Sequence, residues 1–148
     1  PSLHYHQIID LCTRGAFNGK LVTVETNGSI PVKWEYLFFI SLSPKLKSSG
    51  NAIDLDEYVR NIEALIANRP NYQIKFVIDN QESVDEAISL IEKLPFRYLK
   101  DNVYFMPQGA TVSQINERLE LVANACLRHG VNLTDRLHLR IWGDKRGR

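Results

Sequence analysis

The stretch QIKFVIDNQESVDEAISLIEKLPFRYLKDNVYFM, residues 73–106, decides the fold class of this chain. Its two ends, 73–78 and 102–106, are rich in β-branched and aromatic residues, which predicts two buried strands. Between them, apolar residues recur at helical spacing over 81–94 and predict a helix. Strands joined by such a crossover helix run parallel. The stretch therefore predicts a β-α-β unit and an α/β fold.

The same alternation continues toward both ends of the chain. The last long helix has its own boundary signals, an N-cap at Thr111 followed by Gln114 and a closing Gly130. The predicted strands cover 21–26, 36–42, 73–78, 102–106 and 137–141, and the predicted helices cover 1–15, 54–68, 81–94 and 111–130. We therefore expect a single α/β domain over 1–148, with a mostly parallel sheet and crossover helices.

Composition excludes several classes of protein. The chain has 148 residues, 44% of them hydrophobic, with 18 Lys and Arg against 17 Asp and Glu, which is typical of a globular domain. No run of about 18 apolar residues and no charged-then-apolar leader occurs, so neither a membrane span nor a secretory signal is predicted. Cys12 and Cys126 lie far apart in helical patterns and predict two buried thiols in a reducing compartment. We therefore expect a cytoplasmic protein.

The C-terminal residues 136–148 carry a cluster of basic side chains, a pattern that can indicate nucleic-acid binding. However, the net charge of the whole chain is only +1. No aromatic stacking platform or known nucleic-acid motif accompanies the cluster. We therefore expect no direct contact with nucleic acid.

Ligands of parallel α/β sheets bind at the carboxyl ends of the strands. Each predicted strand is followed by polar or small residues, in the order Glu25-Thr-Asn-Gly28, Ser43-Pro-Lys45, Asp79-Asn80, Pro107-Gln-Gly109 and the tail from Trp142. Lys45 and Lys47 are suited to hold a carboxylate or phosphate. Gln108 offers an amide donor and a carbonyl acceptor to a heterocycle. The sequence thus predicts a ligand-binding rim.

Three of these clusters also have a purely structural interpretation. Asn27-Gly28 is typical of a turn. Lys45 and Lys47 are equally consistent with a solvated basic loop, and a strand-to-helix turn accounts for Gln108.

His138 alternates with leucines, so on a strand it points away from their buried face, a direction that in a barrel can be the interior.

The order of the clusters is more specific than any one of them. The chain carries Glu-Thr-Asn-Gly, Ser-Pro-Lys-Leu-Lys-Ser-Ser-Gly, Met-Pro-Gln-Gly and Arg-Leu-His-x-x-x-Trp-Gly-x-Lys-Arg-Gly. Over essentially its whole length it resembles the 7-carboxy-7-deazaguanine synthases, a family of radical S-adenosylmethionine enzymes. The resemblance makes Pro1 the last residue of a Gly-Gly-Glu-Pro motif. It implies the C-terminal portion of a partial (β/α) barrel.

The resemblance also implies an activity and its cofactors. The reaction converts 6-carboxy-5,6,7,8-tetrahydropterin to 7-carboxy-7-deazaguanine with release of ammonia, in the synthesis of queuosine and other 7-deazapurines. The implied cofactors are S-adenosylmethionine, a [4Fe-4S] cluster and Mg²⁺, and the implied partners are a second copy of the chain and a reductant such as flavodoxin. The family's Cys-rich cluster loop and its Mg²⁺-binding Thr belong upstream, so we expect the chain as given to lack them and to be inactive alone.

By position, the resemblance assigns ligand contacts at the rim but no catalytic residue and no metal ligand. Thr26 and His138 correspond to substrate contacts. The cofactor contacts are Gly28, Ser43, Pro44, Lys45, Phe105, Met106, Pro107 and Gln108. One alternative function stays open, a cluster-free module that binds a nucleoside or pterin or assembles with a separate cluster-bearing chain.

Overall fold

The computed structural model describes residues 2–32, 38–51, 54–67, 71–95 and 100–145. Within these residues a five-stranded sheet forms the centre, and every neighbouring pair of strands is parallel. The strands lie side by side in chain order. They are β1 (Thr23–Thr26), β2 (Phe39–Leu42), β3 (Tyr72–Ile78), β4 (Val103–Pro107) and β5 (Asn132–Leu133). The predicted α/β class with a parallel sheet is therefore confirmed.

Helices connect the strands, and side chains at their first turns explain where three of them begin. The helices are α1 (Tyr5–Thr13), α2 (Leu55–Ile66), α3 (Gln81–Lys93), α4 (Val112–His129) and α5 (Leu137–Trp142). Asp54 and Asn80 accept backbone N–H groups at the starts of α2 and α3. Thr111 and Gln114 form the predicted capping box of α4, and Gly130 ends that helix with φ of 67°.

The sheet has one apolar face and one polar face. The apolar face packs against α2, α3 and α4 and contains the fully buried side chains of Ile40, Leu42, Ile74, Phe76, Ile78 and Phe105. On the opposite face, the register places Glu25, Ser41 and Gln73 in one row across β1, β2 and β3. Lys75 and Tyr104 are paired in the next row. A parallel sheet covered on both faces is apolar on both, so this polar face is consistent with the inner side of a partial barrel.

The predicted strand at 137–141 is wrong, because this segment forms α5. The position beside β4 is already taken by Asn132–Leu133, which pairs with Tyr104 and Phe105. In the helix Leu139 is buried, whereas Leu137 is exposed, so the alternating leucines do not share one buried face. The direction expected for His138 on a strand is therefore also wrong, and its side chain is exposed on α5.

The remaining predicted elements differ from the structure mainly at their ends. Residues 36–37 of the second predicted strand, and residue 68 of the helix at 54–68, lie outside the described residues. Of the two cysteines, Cys126 is buried in α4 as predicted, whereas Cys12 in α1 is only half-buried. None of the described helices combines the length and apolar character that crossing a membrane requires.

Candidate functional site

The carboxyl ends of β1 to β4 lie at one edge of the sheet because the strands are parallel. The four predicted clusters at 25–28, 43–45, 79–80 and 107–109 therefore come together at this edge. The tail from Trp142 does not follow a strand, since Trp142 is the last residue of α5. The predicted rim is present, but it is built from four strand ends.

Three cavities open at this edge in the described part of the chain. The largest, about 860 Å³, lies between the loop after β2 and helices α2 and α3, and its lining includes Lys45, Lys47, Asp79 and several carboxylates of α3. The other two reach the strand ends. The first, the sheet-face cavity of about 400 Å³, is lined by Leu3, Glu25, Thr26, Asn27, Ser29, Ile30, Ser41, Ser43, Lys45 and Lys75. The second, the strand-end cavity of about 260 Å³, is lined by Pro44, Lys45, Leu46, Ser48, Ser49, Val77, Asp79, Gln108 and Arg136. Lys45 lines both, so the loop after β2 separates the two cavities.

The turn at 26–29 is held by its own side chains. The Thr26 hydroxyl accepts the N–H of Gly28 at 3.3 Å, and the side-chain Oδ1 of Asn27 accepts the N–H of Ser29 at 3.1 Å. Gly28 has φ of 78°, which favours glycine. The structural interpretation of Asn27-Gly28 as a turn is confirmed, and the turn also lines the sheet-face cavity. Whether Thr26 contacts substrate, or Gly28 contacts cofactor, stays a prediction.

The loop after β2 distinguishes its two lysines. The backbone N–H of Lys45 donates to the Tyr58 hydroxyl at 2.9 Å, which attaches the loop to α2. The N–H of Lys47 donates to the Glu86 carboxylate at 3.0 Å, which attaches the next turn to α3. Lys45 is half-buried and Lys47 is exposed. The structure thus brings Lys45, with Ser43 and Pro44, to the sheet-face and strand-end cavities, whereas Lys47 lines neither of these.

The predicted cofactor contacts of β4 divide between core and rim. Phe105 is fully buried, and its ring meets that of Phe76 edge to face at 6.1 Å. Pro107 is also buried, beside Ile78. Met106 is half-buried on the polar face, and Gln108 is exposed at the strand-end cavity. The side chains of Met106 and Gln108 are therefore the accessible ones of this group.

Sequence reasoning missed the side chains on the polar face. Glu25 stands in a motif and Gln73 and Lys75 in a predicted strand, but the sequence marks none of them as a site residue. Gln73 donates to the Ser41 hydroxyl at 2.9 Å. Lys75 is half-buried in the sheet-face cavity, and its ammonium has no ion-pair partner among the described residues. The sequence contains a signal for this polar face. Strands of a parallel sheet that is covered by helices on both faces rarely carry polar residues at alternate positions.

Arg136 was also missed, although it lines the strand-end cavity. It lies between β5 and α5, and in the sequence it stands out only as one member of the basic C-terminal cluster. His138, which the resemblance assigned to substrate, lines neither cavity and lies on the exposed surface of α5. The cationic residue that the structure brings to the rim from this segment is therefore Arg136.

The described residues do not form a site for an iron–sulfur cluster. Cys12 on α1 and Cys126 on α4 are free thiols, and burial raises the pKa of both. In the described part of the chain no three His, Cys, Asp or Glu side chains are placed to hold a metal ion. A cluster needs several converging thiolates, and these two helices do not supply them.

Comparison with known proteins gives one consistent name. The chain is 30% identical over 162 residues to the 7-carboxy-7-deazaguanine synthase of Halobacterium salinarum, an alignment that covers 97% of the chain and 62% of that protein. The enzymes of the same name from Pyrobaculum aerophilum and Rhodopirellula baltica are each 28% identical, over 86% and 95% of the chain. The chain spans 54% and 58% of the length of these two proteins.

No family model matches the chain, and no solved structure matches it significantly. The similarity rests on relatives from diverse organisms that share one name and align with most of the chain. The chain is therefore a homologue of the 7-carboxy-7-deazaguanine synthases.

Proposed function

We propose that this chain acts in a 7-carboxy-7-deazaguanine synthase, which converts 6-carboxy-5,6,7,8-tetrahydropterin to 7-carboxy-7-deazaguanine and ammonia in 7-deazapurine and queuosine synthesis. The observation that carries the proposal is an alignment over 97% of the chain with an enzyme of this name. The proposal includes a cytoplasmic homodimer, a flavodoxin-like reductant, and S-adenosylmethionine, a [4Fe-4S] cluster and Mg²⁺ as cofactors. Because the chain spans 62% of that relative, the cluster and Mg²⁺ ligands are proposed to lie in the remainder of the enzyme.

The rim offers suitable groups for S-adenosylmethionine. Its proposed contacts are Gly28, residues 43–45 and the end of β4 at 105–108. Gln108 is exposed and can present its amide to the edge of an adenine ring, while Lys45 can pair with a carboxylate. When bound, the cofactor would supply a deoxyadenosyl radical that abstracts hydrogen from the substrate. The chain's own residues would orient the cofactor and substrate toward each other.

The polar face offers suitable groups for the pterin. A carboxytetrahydropterin has N–H donors on its pyrimidine ring and a carboxylate on the other ring. Glu25 can accept from the N–H donors, and Lys75 can pair with the carboxylate, since both line the sheet-face cavity. Thr26, at the same cavity, is the substrate contact that the resemblance implies. Opposite charges at separate points of one cavity favour a single orientation of such a ligand.

Calorimetric titration tests the proposal and the role of Lys45. The full-length enzyme that includes this chain is purified and titrated with S-adenosylmethionine and with 6-carboxypterin. After anaerobic reconstitution it is assayed for 7-carboxy-7-deazaguanine by mass spectrometry. We expect Lys45→Met to weaken S-adenosylmethionine binding by about ten- to a hundredfold, since a charge-assisted contact contributes roughly 1.5–3 kcal/mol.

Lys47→Met is the matched control because Lys47 belongs to the same loop but lines neither the sheet-face nor the strand-end cavity. It lines only the larger cavity toward α2 and α3, whose other charged residues are mostly acidic. We expect its affinity to stay close to that of the wild type. A larger loss for Lys47→Met than for Lys45→Met would reject the assignment of the loop. Absence of binding of both ligands, together with absence of product, would reject the proposed function.

A further inference from the structure

Arg136 has a buried polar atom without a partner. Its Nε is excluded from solvent and has no hydrogen-bond partner among the residues that the structure describes. A buried donor without an acceptor destabilises the folded state, more so when the group is charged, and native proteins rarely retain one. The orphaned donor therefore marks a position where an acceptor is needed that the described residues do not supply.

Nearby carboxylates already have other cationic partners. Asp79, at the strand-end cavity, accepts from the Nε of Arg118 on α4 at 2.7 Å. The side chain of Asp135, immediately before Arg136, accepts from the Nε of Arg140 and from the backbone N–H of Arg136. The guanidinium of Arg136 is thus left without an ion-pair partner among the described residues.

The charges of the strand-end cavity favour an anion. Lys45 and Arg136 both line it, and neither side chain has an ion pair within the described part of the chain. Asp79 is the acidic residue in the lining, and Arg118 offsets its charge. The cavity therefore has an excess of positive charge, and its cations come from two different segments of the rim.

We propose that Arg136, together with Lys45, binds the carboxylate of a ligand in the strand-end cavity. A guanidinium presents its N–H groups as a planar fork that matches the two oxygens of a carboxylate. This inference rests on the proposed function, in which both ligands carry a carboxylate. Because Lys75 in the sheet-face cavity is the proposed partner of the pterin carboxylate, we assign the carboxylate at Arg136 to the methionyl group of S-adenosylmethionine. The experiment includes the pterin carboxylate as the other source.

The test compares two pairs of ligands that differ only in the carboxylate. One pair is S-adenosylmethionine and decarboxylated S-adenosylmethionine, and the other is 6-carboxypterin and pterin. Affinities are measured by calorimetry for the wild type, Arg136→Met and a control, Arg128→Met. Arg128 is a suitable control because it is exposed in the last turn of α4 and lines neither cavity.

We expect Arg136→Met to weaken the carboxylate-bearing member of one pair by about ten- to a hundredfold and to leave its partner nearly unchanged. The affected pair identifies the source of the carboxylate. Arg128→Met should behave like the wild type with all four ligands. Arg136→Lys should recover part of the lost affinity, because it keeps the charge but not the planar fork.

Equal weakening of both members of a pair would show that Arg136 only maintains the structure, and would overturn the inference. Unchanged affinity for both carboxylate-bearing ligands would also overturn it. If Arg136→Met does not fold, the ligand pairs are compared in the wild-type protein alone. Equal affinities for the two members of each pair would exclude a carboxylate subsite. Failure of the wild type to bind any of the ligands would instead count against the proposed function.

Discussion

The hydroxyl of Tyr58 accepts the backbone N–H of Lys45 at 2.9 Å and so joins the loop after β2 to helix α2. Tyr58 is only 2% exposed, and its ring belongs to the hydrophobic core. The position of Lys45 at the sheet-face and strand-end cavities therefore depends on a core side chain 13 residues later in the sequence. Core packing and ligand binding are coupled at this contact.

Tyr58→Phe should destabilise the protein without changing its fold. The substitution keeps the ring but leaves the half-buried N–H of Lys45 without its acceptor, which we expect to lower the free energy of unfolding by about 0.5–1.5 kcal/mol. Urea denaturation at pH 7 measures the change. Tyr104→Phe is the control, because Tyr104 is half-buried on the polar face and its hydroxyl has no hydrogen bond among the described residues. An equal loss in the two variants would contradict a specific role of the Tyr58 hydroxyl.

Tyr58 should also make stability fall at alkaline pH. Burial raises the pKa of its hydroxyl above the ordinary value of 10.0. The unfolded chain therefore releases this proton at a lower pH than the native protein does, so the contribution of Tyr58 is complete below about pH 10 and is lost as pH rises through the native pKa. Denaturation series between pH 8 and 11 should show a steeper decline for the wild type than for Tyr58→Phe. Parallel declines would contradict the prediction.

Gly28→Ala should destabilise the turn after β1 for two separable reasons. Gly28 has φ of 78°, and an added Cβ would lie 3.3 Å from the Leu42 Cδ2 atom in the core. Gly50 has a similar φ of 70° but has open space at its Cβ position, so Gly50→Ala reports the backbone effect alone. We expect about 1–2 kcal/mol for the backbone effect in both variants, with a larger total loss for Gly28→Ala. Equal losses in urea denaturation would show that Leu42 adjusts freely.

The elements that the sequence predicts well have strong local signals. The long helix α4 combines a capping box at Thr111 with a glycine at 130, and both act within a few residues of the helix ends. The segment 137–141 has no comparable signal, because three alternating apolar residues do not distinguish a strand from a short helix. Asn132–Leu133 already occupies the edge of β4, so residues 137–141 cannot pair there. This strand pairing is part of the tertiary structure and has no signal in the local sequence.

The candidate site was predictable in its outline but not in all its members. Parallel strands bring their carboxyl ends together, so the clusters at 25–28, 43–45 and 107–109 could be placed at one rim from the sequence. The importance of Arg136 depends on which neighbouring carboxylates are already paired, and that follows only from three-dimensional contacts. The polar face likewise becomes visible only when the register aligns Glu25, Ser41 and Gln73.

The last prediction concerns Lys75, whose ammonium lies in the sheet-face cavity without an ion-pair partner among the described residues. Lys75→Met keeps most of the side chain's length but removes its charge, so it should weaken 6-carboxypterin binding by about tenfold or more if Lys75 pairs with the ligand's carboxylate. The free energy of unfolding should change little. Lys75 is only half-buried and forms no ion pair in the described part of the chain, so the substitution removes none. Lys20→Met is the control, since Lys20 is exposed before β1 and does not line this cavity. Calorimetric titration with 6-carboxypterin and with pterin measures the effect. Equal weakening with both ligands, or none with either, would show that Lys75 is not the carboxylate contact of the polar face.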